Sequence, residues 1–246
     1  MKKRTRAKTT LPIVIAGIIA APALDAATTF DDFSSDPNIA GDWTQYSYFG
    51  SENTTPVWNS TDEDLDLDGG GGGGAVLGLY RTGDTRSASD LVTMTVVDFN
   101  VAGGSWYQVG LMIGDTAAPD LLDSNERYEW TIRWESGTYK LRVRKDVGTG
   151  GFDLFNEDLG GSFAGPVKLD IARVGDNYQF LANDVLKFTG TTYSSAVHDT
   201  FVNYLLTKGG DGGGTATIDD FGIVPEPSTT ALLGLGGLAL ILRRRR

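Results

Sequence analysis

The chain of 246 residues contains no cysteine and one histidine, His198. A disulfide framework, a thiolate metal site and a cysteine nucleophile are therefore excluded. A Ser-His-Asp triad or a multi-histidine metal centre would have to rest on a single imidazole. Basic residues are scarce where a fold is expected. Of 21 Lys and Arg, five fall before residue 10 and four close the chain, so residues 27–224 keep 12 against 30 acidic residues, a balance of −18. Nucleic acid is excluded as a partner of that body, because phosphate binding needs a basic surface. Helical periodicity is also lacking: between the two ends no segment repeats its apolar residues at a helical interval.

What is present is alternation. Tyr128, Trp130, Ile132 and Trp134 alternate with Glu129, Thr131, Arg133 and Glu135, a period of two that puts aromatics on one face of a strand and charge on the other. Ser136-Gly137 then reads as a two-residue turn, after which Tyr139, Leu141 and Val143 alternate with Lys140, Arg142 and Arg144. A two-residue loop sets Trp134 opposite Tyr139, Ile132 opposite Leu141, Trp130 opposite Val143, and Glu129 opposite Arg144 on the outer side. Further strands are expected at 75–80, 90–99, 106–113, 167–173, 178–182, 185–189, 200–206 and 215–223. Short strands separated by Gly, Asn and Asp turns at this density predict an all-β antiparallel sandwich over residues 27–224. "TTFDDF" at 28–33 and "ATIDDF" at 216–221 echo one another, and the two ends are expected to pair.

The termini have a different grammar. Five basic residues, an apolar run from Leu11 to Ala21 and small residues at Ala23, Ala26 and Ala27 make the layout of a secretory signal peptide, assigned to residues 1–26. At the other end, Pro227 to Leu242 as a helix would reach only about 24 Å against a hydrocarbon core of ~30 Å. Arg243, Arg244, Arg245 and Arg246 would hold that segment with its end in the cytoplasm.

Two resemblances follow from these residues. Val224, Pro225, Glu226, Pro227 and Ser228, then a Gly/Leu/Ala segment, then the four arginines, are similar to the PEP-CTERM sorting signal of Gram-negative bacteria, over residues 225–246 with Val224 as its lead. That resemblance implies an exosortase, a membrane protease of cysteine type, as partner. It further implies transient inner-membrane insertion, loss of the tail, and delivery to the cell surface or an extracellular polysaccharide matrix. The body resembles the concanavalin A-like (laminin G-like) jelly roll. The resemblance implies that architecture and an affinity for carbohydrate.

Candidate chemistry is sparse. Hydrolytic glucanases of that fold carry Glu-x-Asp-x-x-Glu on one strand, because alternate residues share a face and place two carboxylates about the glycosidic bond. The chain has no such run. Glu126 and Glu129 would face opposite sides, and Glu129 and Glu135 would lie about 20 Å apart along one strand. The expected function is accordingly noncatalytic: a structural or carbohydrate-binding protein of the cell surface, with a hydrolase or a self-associating coat protein as its rivals. Carbohydrate contacts are sought at Trp58 and Trp106, whose rings would stack on sugars. They are sought also at Arg133, Lys140, Arg142 and Arg144, a basic stripe that needs either an anionic partner or carboxylates from a neighbouring strand. Asp64, Asp66, Asp68 and Gly69 match the first half of a calcium-loop pattern, but its twelfth position is Ala75 rather than Glu. A plain strand with Leu65 and Leu67 buried competes with calcium there, and no cofactor is expected.

Overall fold

The computed structural model describes residues 31–37, 43–48, 56–68, 76–81, 90–101, 103, 106–114, 126–147, 150–191, 202–209 and 214–225. The signal peptide assigned to residues 1–26, His198 and the tail from Glu226 onward lie outside them. The described residues form strands β1 (Trp43–Tyr48), β2 (Val57–Asn59), β3 (Asp64–Asp68), β4 (Val76–Arg81), β5 (Asp90–Val101), β6 (Trp106–Gly114) and β7 (Glu126–Glu135). They continue with β8 (Thr138–Val147), β9 (Gly151–Gly160), β10 (Val167–Val174), β11 (Asn177–Ala182), β12 (Val185–Thr191), β13 (Val202–Gly209) and β14 (Gly214–Pro225). Among the described residues no helix is long and apolar enough to cross a membrane.

Two seven-stranded antiparallel sheets face each other. Sheet A has the order β1-β4-β13-β6-β7-β8-β9, and sheet B the order β12-β11-β10-β5-β14-β3-β2. The β7–β8 hairpin has the register its alternation predicts, with Trp134 opposite Tyr139, Trp130 opposite Val143 and Glu129 opposite Arg144. Ser136 and Gly137 both have positive φ, 53° and 84°, the backbone of the tight turn whose twist matches the flanking strands. Asn183 and Asp184 do the same between β11 and β12.

The echo of the two Asp-Asp-Phe runs becomes a bridge. Asp31 N–H donates to the Phe221 carbonyl at 2.8 Å, and Phe221 N–H donates to the Asp31 carbonyl at 2.9 Å. Phe33 and Phe221 then pack with Trp43 in the core.

The inner faces of the two sheets make one apolar core. Its polar tips are tied across the gap between sheets. Trp130 Nε1 donates to the Leu181 carbonyl at 2.9 Å, Tyr139 to that of Phe99 at 3.0 Å and Tyr128 to that of Thr191 at 2.8 Å. Tyr128, Trp130 and Tyr139 thus fill the core with their polar tips paired.

Three strands escape the period-of-two reading: β1, β2 and β9. In β9 the run Gly-Phe-Asp-Leu-Phe-Asn-Glu-Asp-Leu-Gly does not alternate, because its pairing with β8 shifts register twice, at Tyr139/Lys140 and at Val143/Arg144. Each bulge reverses which side the next residue faces.

Asp64, Asp66 and Asp68, the residues of the calcium-loop pattern, lie on a strand. They occupy alternate places on β3, which pairs with β14 on one side and β2 on the other, and Leu65 and Leu67 are buried beneath. An extended, doubly paired strand does not wrap a cation as a loop does. No cluster of three metal-suited side chains occurs among the described residues.

Candidate functional site

The outer face of sheet A collects the polar half of the alternation. Strand β6 supplies Gln108, β7 supplies Arg127, Glu129, Thr131, Arg133 and Glu135, and β8 supplies Lys140, Arg142, Arg144 and Asp146. The first bulged stretch of β9 adds Asp153, directly opposite Arg144. Although this is the outside of a sheet, Gln108, Arg127, Glu129, Thr131, Arg142 and Asp146 are all buried. Gly110, at the middle of β6, lets the backbone of β7 come close: a Cβ there would overlap the Trp130 carbonyl and Thr131.

Six of these side chains close a ring in which cation and anion alternate. Glu129 lies 3.7 Å from Arg127, which is 2.5 Å from Asp146. Asp146 lies 3.7 Å from Arg144, and Arg144 lies 3.8 Å from Asp153. Asp153 lies 3.6 Å from Arg142, which returns to Glu129 at 3.3 Å. Gln108 pins the most buried corner, accepting from Arg142 at 2.9 Å and donating to Glu129 at 3.1 Å. Burial pulls the Arg142 guanidinium below its ordinary pKa, and Glu129 beside it opposes that fall. Buried ions persist only when matched and hydrogen-bonded in this way.

Beside the ring, Arg133 donates to Glu135 at 2.5 Å and Lys140 approaches the same carboxylate at 3.7 Å. Arg133 and Lys140 sit opposite one another, and Glu135 bridges what would otherwise be a repulsive pair. The hydrogen bond from Arg133, helped by its charge and that of Lys140, holds the Glu135 carboxyl below the usual carboxylate range. The guanidinium of Arg133 also lies 4.5 Å from the ring centroid of Trp106. One face of that indole is therefore covered by a cation. Trp58 is on the edge strand β2 of the other sheet, half-buried against the core, its Nε1 donating to the Phe33 carbonyl at 2.9 Å.

Of the residues proposed from sequence, the structure brings together Trp106, Arg133, Lys140, Arg142 and Arg144, and leaves Trp58 on the other sheet. Sequence reasoning missed Gln108, Arg127, Asp146 and Asp153. Continuing the β8 alternation past Arg144 reaches Asp146, but Asp153 had no such signal because its strand is bulged. The gathered carboxylates matter chemically. Glu129 and Asp153, carried on separate strands, touch the same Arg142 guanidinium.

Residues 224–246 match the family model of the PEP-CTERM protein-sorting motif. No curated protein sequence matches the chain. Its fold is similar to an endo-acting O-glycanase of the human gut microbiota, with a TM-score of 0.59 at 12% identity, covering 80% of this chain and 98% of that one. It is similar also to a glycoside hydrolase family 16 endo-glucanase from Bacteroides ovatus, with a TM-score of 0.55 at 10% identity, covering 79% and 99%. A β-glucanase from Bacillus licheniformis gives 0.52 at 9%, covering 79% and 97%.

These neighbours overturn the expectation of a noncatalytic protein. That expectation rested on the missing single-strand motif, whereas here acidic side chains converge from three strands on a fold that hydrolases use. The chain carries a PEP-CTERM protein-sorting motif at residues 224–246, and its neighbours in structure are concanavalin A-like β-sandwiches of glycoside hydrolase family 16.

Proposed function

We propose that this is an exported carbohydrate-active protein that hydrolyses glycosidic bonds on the outer face of sheet A. The observation that carries the reading is the convergence of Glu129 and Asp153 on Arg142 from separate strands. Glu129, buried and fixed by Arg127, Arg142 and Gln108, holds in place the Arg142 guanidinium that Asp153 also contacts. Asp153, the exposed member of the pair, is the carboxyl group placed to reach the leaving oxygen. Because every arginine of the ring already has a carboxylate, a neutral glycan suits the face better than an anionic one. Trp106, backed by Arg133, offers its remaining ring face for stacking at the rim.

Sorting completes the reading. Export leads to transient insertion of the tail in the inner membrane, processing by exosortase, and residence at the cell surface or in an extracellular polysaccharide matrix. The test is release of reducing ends from the producing cell's own polysaccharide and from neutral β-glucans. Wild type is expected to turn over, and Asp153→Asn to lose about 10²-fold or more in rate with binding retained. Absence of reducing ends from every substrate, or an unchanged rate in Asp153→Asn, would sink this reading.

A further inference from the structure

The sorting motif does not follow the folded domain at the end of a linker: it begins inside a strand. Gly222, Ile223, Val224 and Pro225 of β14 pair with Thr93, Val92, Leu91 and Asp90 of β5, and Val224 and Pro225 are already the first residues of the matched motif. Ile223 is buried in the core and Val224 half-buried. A protease that cut before Pro225 would have to pull this segment off β5 and would leave the sandwich with an interior strand shortened. Only five residues, Glu226 to Thr230, separate Pro225 from Ala231, where the apolar stretch opens. Fully extended they reach at most roughly 20 Å, of which the headgroup layer takes about 5–7 Å. The folded domain is thus held close against the bilayer, and the chain that can enter a protease without unfolding is the short piece after Pro225.

We infer that the processing bond lies on the membrane side of Pro225, so that the mature protein keeps β14 whole; this rests on the exosortase reading given above. In the cleavage the broken C–N bond passes its acyl carbon to the protease's cysteine thiol and then to water. The amine departs with the tail and the mature chain ends in a carboxylate. Strand pairing, rather than the protease alone, sets the boundary, because proteolysis of a paired segment is limited by the small fraction of time it spends detached.

The test uses the full chain in a cell that carries the exosortase. First, the C-terminal peptide of the mature protein is read by mass: a last residue at Pro225 or beyond is expected, and one at Val224 or earlier overturns the inference. Second, Leu91→Cys/Val224→Cys staples β14 to β5. Directly opposed residues on antiparallel strands have the Cα separation a disulfide needs, and a chain without native cysteine offers no competing thiol. Loss of two hydrogens on oxidation reports that the native register has formed. The stapled chain is expected to shed its tail within twofold of the wild-type rate, with or without reductant. A tail that separates only after reduction would place the cut upstream of Val224. A stapled chain left uncut until reduced would mean that β14 must open. Either result overturns the inference. If the wild-type chain is never processed, the exosortase reading itself fails and takes this inference with it.

Discussion

Two regions on the outside of the sandwich, the ring on sheet A and the surroundings of β3 and β14 on sheet B, treat charge in opposite ways. On sheet A each cation of the ring stands between two anions, and even the fully buried Glu129 is matched on both sides. On sheet B, around β3 and the bulge of β14, acids crowd acids. Burial raises the Asp64 carboxyl above its ordinary pKa, and Asp66, Asp62 and Asp219 push the same way. Burial likewise raises Asp219, with Asp220 and Asp32 adding to it. Both faces are written with the same period-of-two pattern. The difference is that β7, β8 and β9 interleave Arg with Asp and Glu across the ladder, whereas β14 sets Thr215 and Thr217 opposite Asp68 and Asp66 and adds the charge of Asp219 near Asp64. Alternation decides which residues face outward; only the pairing of neighbouring strands decides whether those charges satisfy or strain one another.

The largest expected effect comes from opening the ring. Arg142→Ala leaves Glu129 buried with one cation fewer and is expected to lower unfolding free energy by about 3–5 kcal/mol, read from denaturant midpoints. Replacing the neutral brace should cost less. Gln108→Leu removes one acceptor and one donor from the same corner, and a loss of about 1–3 kcal/mol is expected. A wild-type melting curve in either variant would mean that the ring is ornamental.

On sheet B the sign reverses. Asp64→Asn is expected to stabilise the protein at neutral pH by about 1 kcal/mol, since it removes a buried, crowded charge. The gain should fade on acidification: a carboxyl whose folded pKa is raised binds its proton more readily in the folded state. Its destabilising effect is therefore present above the raised value and disappears as pH falls through it toward the unfolded value. Glu135 behaves oppositely. Its depressed pKa contributes stability above the unfolded value that is lost as pH falls through the folded one, so Glu135→Gln should flatten the acid limb of the stability curve.

The smallest effect belongs to the pair joining the two sheets at their edges, Lys187 on β12 and Glu157 on β9, 2.8 Å apart and partly exposed. A double-mutant cycle is expected to give about 0.2–1 kcal/mol, shrinking with added salt. A value as large as that of the ring would erase the contrast between buried and exposed pairing.

How much of this was legible before folding depends on the element. The β7–β8 hairpin could be read residue by residue, register included, because a Ser-Gly turn and two uninterrupted alternations leave one solution. The bridge between Asp31 and Phe221 was visible as a repeated Asp-Asp-Phe. The candidate site was half legible. Its basic residues could be placed on one face, but their carboxylate partners include Asp153, on a strand that two bulges hide from any periodic reading. Likewise Trp58 and Trp106 looked alike in sequence, and only tertiary packing makes one a brace against Phe33 and the other a neighbour of Arg133.

The order of strands in sheet B has a further consequence for how the molecule is made. The last of the described strands to be synthesised, β14, is inserted between β5 and β3, and the bridge to Asp31 also depends on it. A chain emerging from its N-terminus therefore has both neighbours of that slot in place before the occupant exists. Until residue 225 is available, the half-sheets β12-β11-β10-β5 and β3-β2 have no backbone contact through their shared centre, and the core beneath them stays open. Pairings this distant in sequence form slowly. Completion of the fold is thereby a report that the whole domain has been delivered.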